Sequence, residues 1–190
     1  MEETNEYNEK LNVIYDMIEN SKTQIRENAF FYLLWGWLVL IASLSHFIMM
    51  RMDIFYSFLA WPVFMTCGMV ISVIAGIRMG KRAGYRTHID TAVIYLWWGF
   101  FFAIMVILAF SAGGKIPWEM SNVLIIVMYG LGTFVSGGIL KFRPLILGGI
   151  CCWIIALSKF FIPDEYSLLL VAVSIVIAYL IPGYLLRKAR

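Results

Sequence analysis

Charge is scarce in this chain of 190 residues: only 14% are Asp, Glu, Lys or Arg, where a soluble globular domain holds about 25%. Histidine is rarer still, with only His46 and His88. No His-Glu-x-x-His site, Gly-rich phosphate loop, or activated Ser or Cys arrangement can be found, so the chemistry those motifs carry has no visible seat. The three cysteines, Cys67, Cys151 and Cys152, all fall inside apolar runs. Adjacent Cys151 and Cys152 lack metal-ligand spacing, and an odd count is no disulfide framework. They read as small buried hydrophobes, and no cofactor or metal is expected. The first 28 residues lack the basic start and apolar core of a cleavable signal. No lipidation motif is present either.

What the chain has instead is apolar length. It is 62% hydrophobic, with a mean hydropathy of +0.82. A helix needs about 20 apolar residues to cross a bilayer, and six stretches qualify: 29–50, 54–77, 91–112, 121–140, 144–162 and 166–186. The spacing predicts an all-α polytopic membrane protein with one transmembrane domain over 29–190. No span carries a charge in its middle. Proton-coupled carriers, pumps and voltage sensors mark their paths with buried ionisable residues, so those classes are disfavoured.

Basic residues set direction. With the N-terminus cytoplasmic, the inner segments hold Lys10, Lys22, Arg26, Arg78, Lys81, Arg82, Arg86, Lys141, Arg143, Arg187, Lys188 and Arg190, and the outer ones only Arg51, Lys115 and Lys159. Both termini are therefore expected on the cytoplasmic side of the inner membrane.

The spans repeat. "FYLLWGWLVLIASLSHF" (31–47) returns as "IYLWWGFFFAIMVILAF" (94–110) and "PLILGGICCWIIALSKF" (144–160). In each copy a Gly precedes a Phe by eleven residues: Gly36 and Phe47, Gly99 and Phe110, Gly149 and Phe160. The even-numbered spans place a Gly five residues before a base: Gly76 and Lys81, Gly138 and Arg143, Gly183 and Lys188. The unit is an out-and-back hairpin, written three times in one orientation, over about 29–77, 91–140 and 144–186. Three such hairpins could close around a pseudo-threefold axis. Each repeated Gly is expected at a helix contact, because close backbone approach drives packing where lipid removes the hydrophobic drive.

The three tandem hairpins, with the texture of residues 149–183, resemble the HdeD-like six-helix bacterial membrane proteins. The Trp35-Gly36 and Trp98-Gly99 pairs give a fainter likeness to urea and amide channels. The first resemblance implies a link to acid-stress tolerance; the second implies passage of small neutral solutes. The 28-residue acidic extension departs from the short N-terminus of both families.

That extension reads as a helix over 5–28. Tyr7, Leu11, Ile14, Tyr15 and Ile18 form one apolar stripe, and Glu2, Glu3, Glu6, Glu9, Asp16 and Glu19 decorate the other sides. Helices that lie on anionic leaflets are rich in Lys and Arg, so the stripe, with Leu11, Ile14, Tyr15 and Ile18 at its centre, suits a cytoplasmic protein partner, a second subunit, or the chain's own basic 78–90 loop.

Titratable groups near the spans are few. His46 and Lys159 occupy matching places, one residue before the repeated Phe, and could share an outer vestibule. The simpler reading is that both snorkel to the interface. Trp35, Trp37, Trp97 and Trp98 would suit a narrow neutral constriction, or an inner aromatic belt. The basic loop, with one Tyr85 among its charges, points to headgroups rather than nucleic acid. The expected function is non-enzymatic: a regulatory, stress-linked or scaffolding membrane protein, possible as a homo-oligomer, that engages a partner through its N-terminal helix. The alternative is a channel or facilitator for a small neutral solute.

Overall fold

The computed structural model describes residues 29–80 and 88–188, with side chains at 29–79 and 91–188. The described residues form helices joined by short turns, with no strand. Among the described residues, six helices are long and apolar enough to cross a membrane. They are α1 (Ala29–Arg51), α2 (Ala60–Gly80), α3 (His88–Ala112), α4 (Trp118–Ile139), α5 (Arg143–Ser158) and α6 (Asp164–Lys188). A 3-10 turn, Ser57–Leu59, leads into α2, and another, Lys159–Phe161, extends α5. Each of the six expected spans is occupied by one of these helices, with 54–56 forming a turn before the second. The expected helix over 5–28 lies outside the described residues, as do Leu11, Ile14, Tyr15 and Ile18.

Local chemistry sets the ends. Pro117 is the N-cap of α4, and Pro144 lies in the first turn of α5, where a missing N–H leaves no bond unmade. Three helices end in the same wrapped turn. After α1, the Ile54 and Asp53 amides donate to Met49 and Met50 carbonyls at 3.0 and 3.2 Å. After α3, Lys115 and Gly114 donate to Phe110 and Ser111, both at 2.9 Å. After α4, Phe142 and Lys141 donate to Gly137 and Gly138 at 2.9 and 3.2 Å. Asp53, Gly114 and Lys141 take the left-handed backbone this turn requires, at φ 55, 67 and 52°. The closing bonds satisfy carbonyls that a helix end would otherwise leave open.

Neighbouring helices run antiparallel. Gly36 meets Leu180, and Gly183 meets Leu33. Gly130 meets Gly149, and Gly137 meets Ile146. The starts of α1, α3 and α5 therefore share one end of the bundle with the finishes of α2, α4 and α6. We call it the Lys188 end, and the other the Arg51 end.

The core sits among α4, α5, α6 and one face of α1. Ile126, Leu145, Cys152 and Ile175 are fully buried there. A Cβ added at Gly130 would lie 2.9 Å from the Gly149 carbonyl oxygen, and one at Gly137 only 2.7 Å from the Ile146 nitrogen. The closest helix pair, α4 with α5, thus joins two different repeat units. Burial is uneven: 61% of the apolar window of α6 is buried, against 11% for α2 and 0% for α3.

Polar ties hold the rim. At the Arg51 end, Arg51 pairs with Glu165 at 2.9 Å, both about half exposed, and lies over the Phe47 and Tyr166 rings. Ser111 bonds Ser121, and Asn122 donates to Ser167 at 3.1 Å, which links α3, α4 and α6. Deeper hydroxyls turn back on their own helices. Thr133 donates to Tyr129 carbonyl at 2.7 Å, Ser136 to Gly132 at 2.6 Å and Ser174 to Leu170 at 2.7 Å.

Candidate functional site: an aromatic core at the π turn of α6

Helix α6 changes its winding midway. After Ser167–Ile175 it passes through a π turn, Val176–Leu180, and resumes as Ile181–Lys188. Such single wide turns recur at functional sites. The turn lies against Gly148 of α5, where a Cβ would stand 3.1 Å from the Ile177 carbonyl oxygen and 3.1 Å from Ala178 Cα. A residue without a side chain lets the widened backbone come this near without displacing its neighbour.

Tyr179 lies within this turn and is almost wholly buried. Its ring meets Tyr32 of α1 at 5.5 Å, Tyr129 of α4 at 5.5 Å and Trp97 of α3 at 6.0 Å between centroids. Tyr32 also meets Trp97 at 5.9 Å. Phe100 closes the set, 5.1 Å from Trp97 and stacked on Tyr129 at 5.7 Å. Four helices thus converge on five rings, mostly edge to face, each contact contributing about 0.5–1.5 kcal/mol beyond area burial.

The hydroxyls are less well served. Those of Tyr32 and Tyr179 are buried without a hydrogen-bond partner. Ser136 lies close to Tyr32 without bonding geometry, its proton directed to Gly132. An unpaired buried hydroxyl costs about 1–3 kcal/mol. Two of them in one aromatic cluster form the chemically distinctive feature of the interior. They can donate to a neutral acceptor, and the surrounding rings offer π faces.

The residues marked by the repeat fall in two groups. Gly36 lies against Leu180 and Tyr179, Gly149 against the Gly130 carbonyl and Phe134, and Gly183 against Leu33 and Tyr32. Gly76, Gly99 and Gly138 have nothing within 4 Å of where a Cβ would stand. Gly99 lines a small apolar hollow of about 210 Å³ between α3 and α4, beside Tyr95 and Leu131. His46 accepts a hydrogen bond from the Trp61 indole at 3.0 Å. Lys159 pairs with Asp164 at 2.6 Å and donates to the Ile162 carbonyl. Each is thus engaged on its own neighbour. Among the described residues, no cluster of three His, Cys, Asp or Glu side chains forms.

Sequence reasoning passed over Tyr32, Tyr129 and Tyr179, and over Gly130, Gly137 and Gly148. Tyrosines inside apolar runs look like any other aromatic filler. The available signal was the helical wheel: Tyr129, Gly130, Thr133, Ser136 and Gly137 follow one another at steps of one and three along α4, and all are buried. Of the four tryptophans named above, Trp97 enters the ring cluster, Trp35 packs beside Gly68, and Trp37 and Trp98 are exposed.

No known protein family, curated protein or solved structure matches this chain.

Proposed function

We propose that this chain is a non-enzymatic integral membrane protein of regulatory or scaffolding role, engaging a partner through its N-terminal amphipathic helix. The observation that carries this reading is the uneven burial. Interior volume in α4, α5, α6 and α1 is taken up by side chains whose hydroxyls are mostly turned back on their own helices, while α2 and α3 leave broad apolar faces outward. A bundle of that kind suits a platform in the bilayer better than a solute path. The Lys188 end carries Arg78, Lys141, Arg143, Arg187 and Lys188, against Arg51, Lys115 and Lys159 at the other. That asymmetry supports an inner-membrane orientation with both termini cytoplasmic, where residues 1–28 meet cytosolic proteins. Three hairpin repeats remain the simplest account of the shared sequence.

The test is capture from gently solubilised membranes with the full chain, with a form lacking residues 1–28, and with Leu11→Glu/Ile14→Glu/Ile18→Glu. A protein retained by the full chain and lost from the other two supports the reading. Identical captures from all three, or none from any, sink it.

A second reading, a facilitator for a small neutral solute, is favoured by the unpartnered hydroxyls of Tyr32 and Tyr179. Liposome flux of urea or glycerol that exceeds protein-free controls and falls in Tyr32→Phe and Tyr179→Phe would establish it.

A further inference from the structure

A groove of about 540 Å³ runs along α1 beside the last turns of α6 at the Lys188 end. Its walls include the apolar Phe30, Leu34 and Leu38, together with Trp37, Tyr184 and Arg187, whose side chains carry polar groups. From Ala29 to Leu38 the helix climbs about 14 Å, close to one leaflet of the hydrocarbon core. Phe30, Trp37 and Tyr184 are 38, 45 and 44% exposed, so the groove opens away from the bundle core.

We infer that this groove holds one anionic phospholipid, its headgroup on Tyr184 and Arg187 and an acyl chain along Phe30, Leu34 and Leu38. The polar atoms are arranged for an acceptor. Trp37 Nε1 donates to the Tyr184 hydroxyl oxygen at 3.2 Å, which fixes that hydroxyl and leaves its proton for an outside oxygen. Arg187 lies three residues on, on the same helical face. Among the described residues no carboxylate pairs with it. A guanidinium beside a hydroxyl suits a phosphodiester. The end of α6 carries about half a negative charge from its carbonyls; Arg187 and Lys188 outweigh it, so the local field favours an anion.

The other occupant within reach is the acidic segment 1–28. It carries Glu2, Glu3, Glu6, Glu9, Asp16 and Glu19 interspersed among its apolar residues. Laying it along a groove that descends a leaflet would carry several of those carboxylates into hydrocarbon. A phospholipid places its only charge at the groove's polar residues and meets no such penalty.

The test is native mass spectrometry of the full chain, released from micelles holding equal amounts of palmitoyl-oleoyl phosphatidylglycerol and phosphatidylcholine. The wild type is expected to retain the anionic lipid preferentially. Arg187→Gln should cut that preference about fivefold, the weight of one base at a lipid surface. Leu34→Trp, which fills the groove and leaves every charge in place, should lose the bound lipid. Equal retention of both lipids, or a preference unchanged in both variants, overturns the assignment. So does lipid that binds only after residues 1–28 are removed, which would give the groove to that segment.

Discussion

Glycines that look alike in the sequence do opposite things in the bundle. The repeat marks Gly36, Gly149 and Gly183, which lie in close contacts, with the same pattern as Gly76, Gly99 and Gly138, which face open space. The difference is helix phase, and phase depends on where the neighbours stand. A sequence pattern says that a small residue recurs; it does not say which helix it faces. Two substitutions follow from this. Gly130→Ala would push a Cβ to 2.9 Å from the Gly149 carbonyl, and backbone cannot move aside as a side chain can. The expected cost is about 1–3 kcal/mol. Gly138→Ala meets nothing and gains helix propensity, up to about 1 kcal/mol. Thermal unfolding in micelles should therefore move in opposite directions for the two. A Gly130→Ala protein as stable as the wild type would mean that the α4–α5 contact is looser than described.

At the level of the helices, length was the legible quantity. Six apolar runs gave six spans; that Pro117 and Pro144 stand at the starts of α4 and α5 is seen in the structure. The π turn was not legible: "VIAYL" contains no Gly or Pro to flag a change of winding. The partner of His46 was hidden for a similar reason, since Trp61 lies on the next helix and fifteen residues away. That pair bears directly on α2, which buries little against the rest. An indole N–H only donates, so the imidazole nitrogen facing it must be unprotonated. The bond is present above the titration range of the imidazole and is lost as pH falls through it. Hydrogen exchange in α2, corrected for intrinsic rates, should quicken between about pH 8 and about pH 5, while α4 and α5 stay protected. His46→Gln can accept the same bond through its carbonyl and does not titrate, so its α2 should lose that pH dependence. An identical pH course in both proteins would remove His46 from the explanation.

For the whole molecule, the antiparallel order places the beginning of α1 and the finish of α6 at one end. With that end cytoplasmic, single cysteines at Asp53 and Gly114, in a chain freed of Cys67, Cys151 and Cys152, should react with an impermeant maleimide on intact cells. One at Lys141 should react only after permeabilisation. Early labelling of Lys141→Cys would reverse the orientation. The three-hairpin pattern left open whether the units close around a pseudo-threefold axis. Most burial is gathered in α4, α5, α6 and α1, while α2 and α3 pack on with little of their own length buried. Shared sequence constrains how each hairpin is built. It leaves open which hairpin lies where, because that depends on contacts such as Gly130 on Gly149, made between units rather than within them.

The π turn also bears on how the chain can change length. A straight α-helix rotates by about 100° per residue, so losing one residue from α4 would swing everything beyond it off its neighbours. Within Val176–Leu180 the wide turn already holds a surplus residue. Its loss would leave an ordinary α-helix, with Ser167–Ile175 and Ile181–Lys188 still pointing as they do now. In α6 a change of one residue is thus a change of local width rather than of register. Across distant versions of this chain, differences in span length would be absorbed there, at the ring of Tyr179, before anywhere else along the helix.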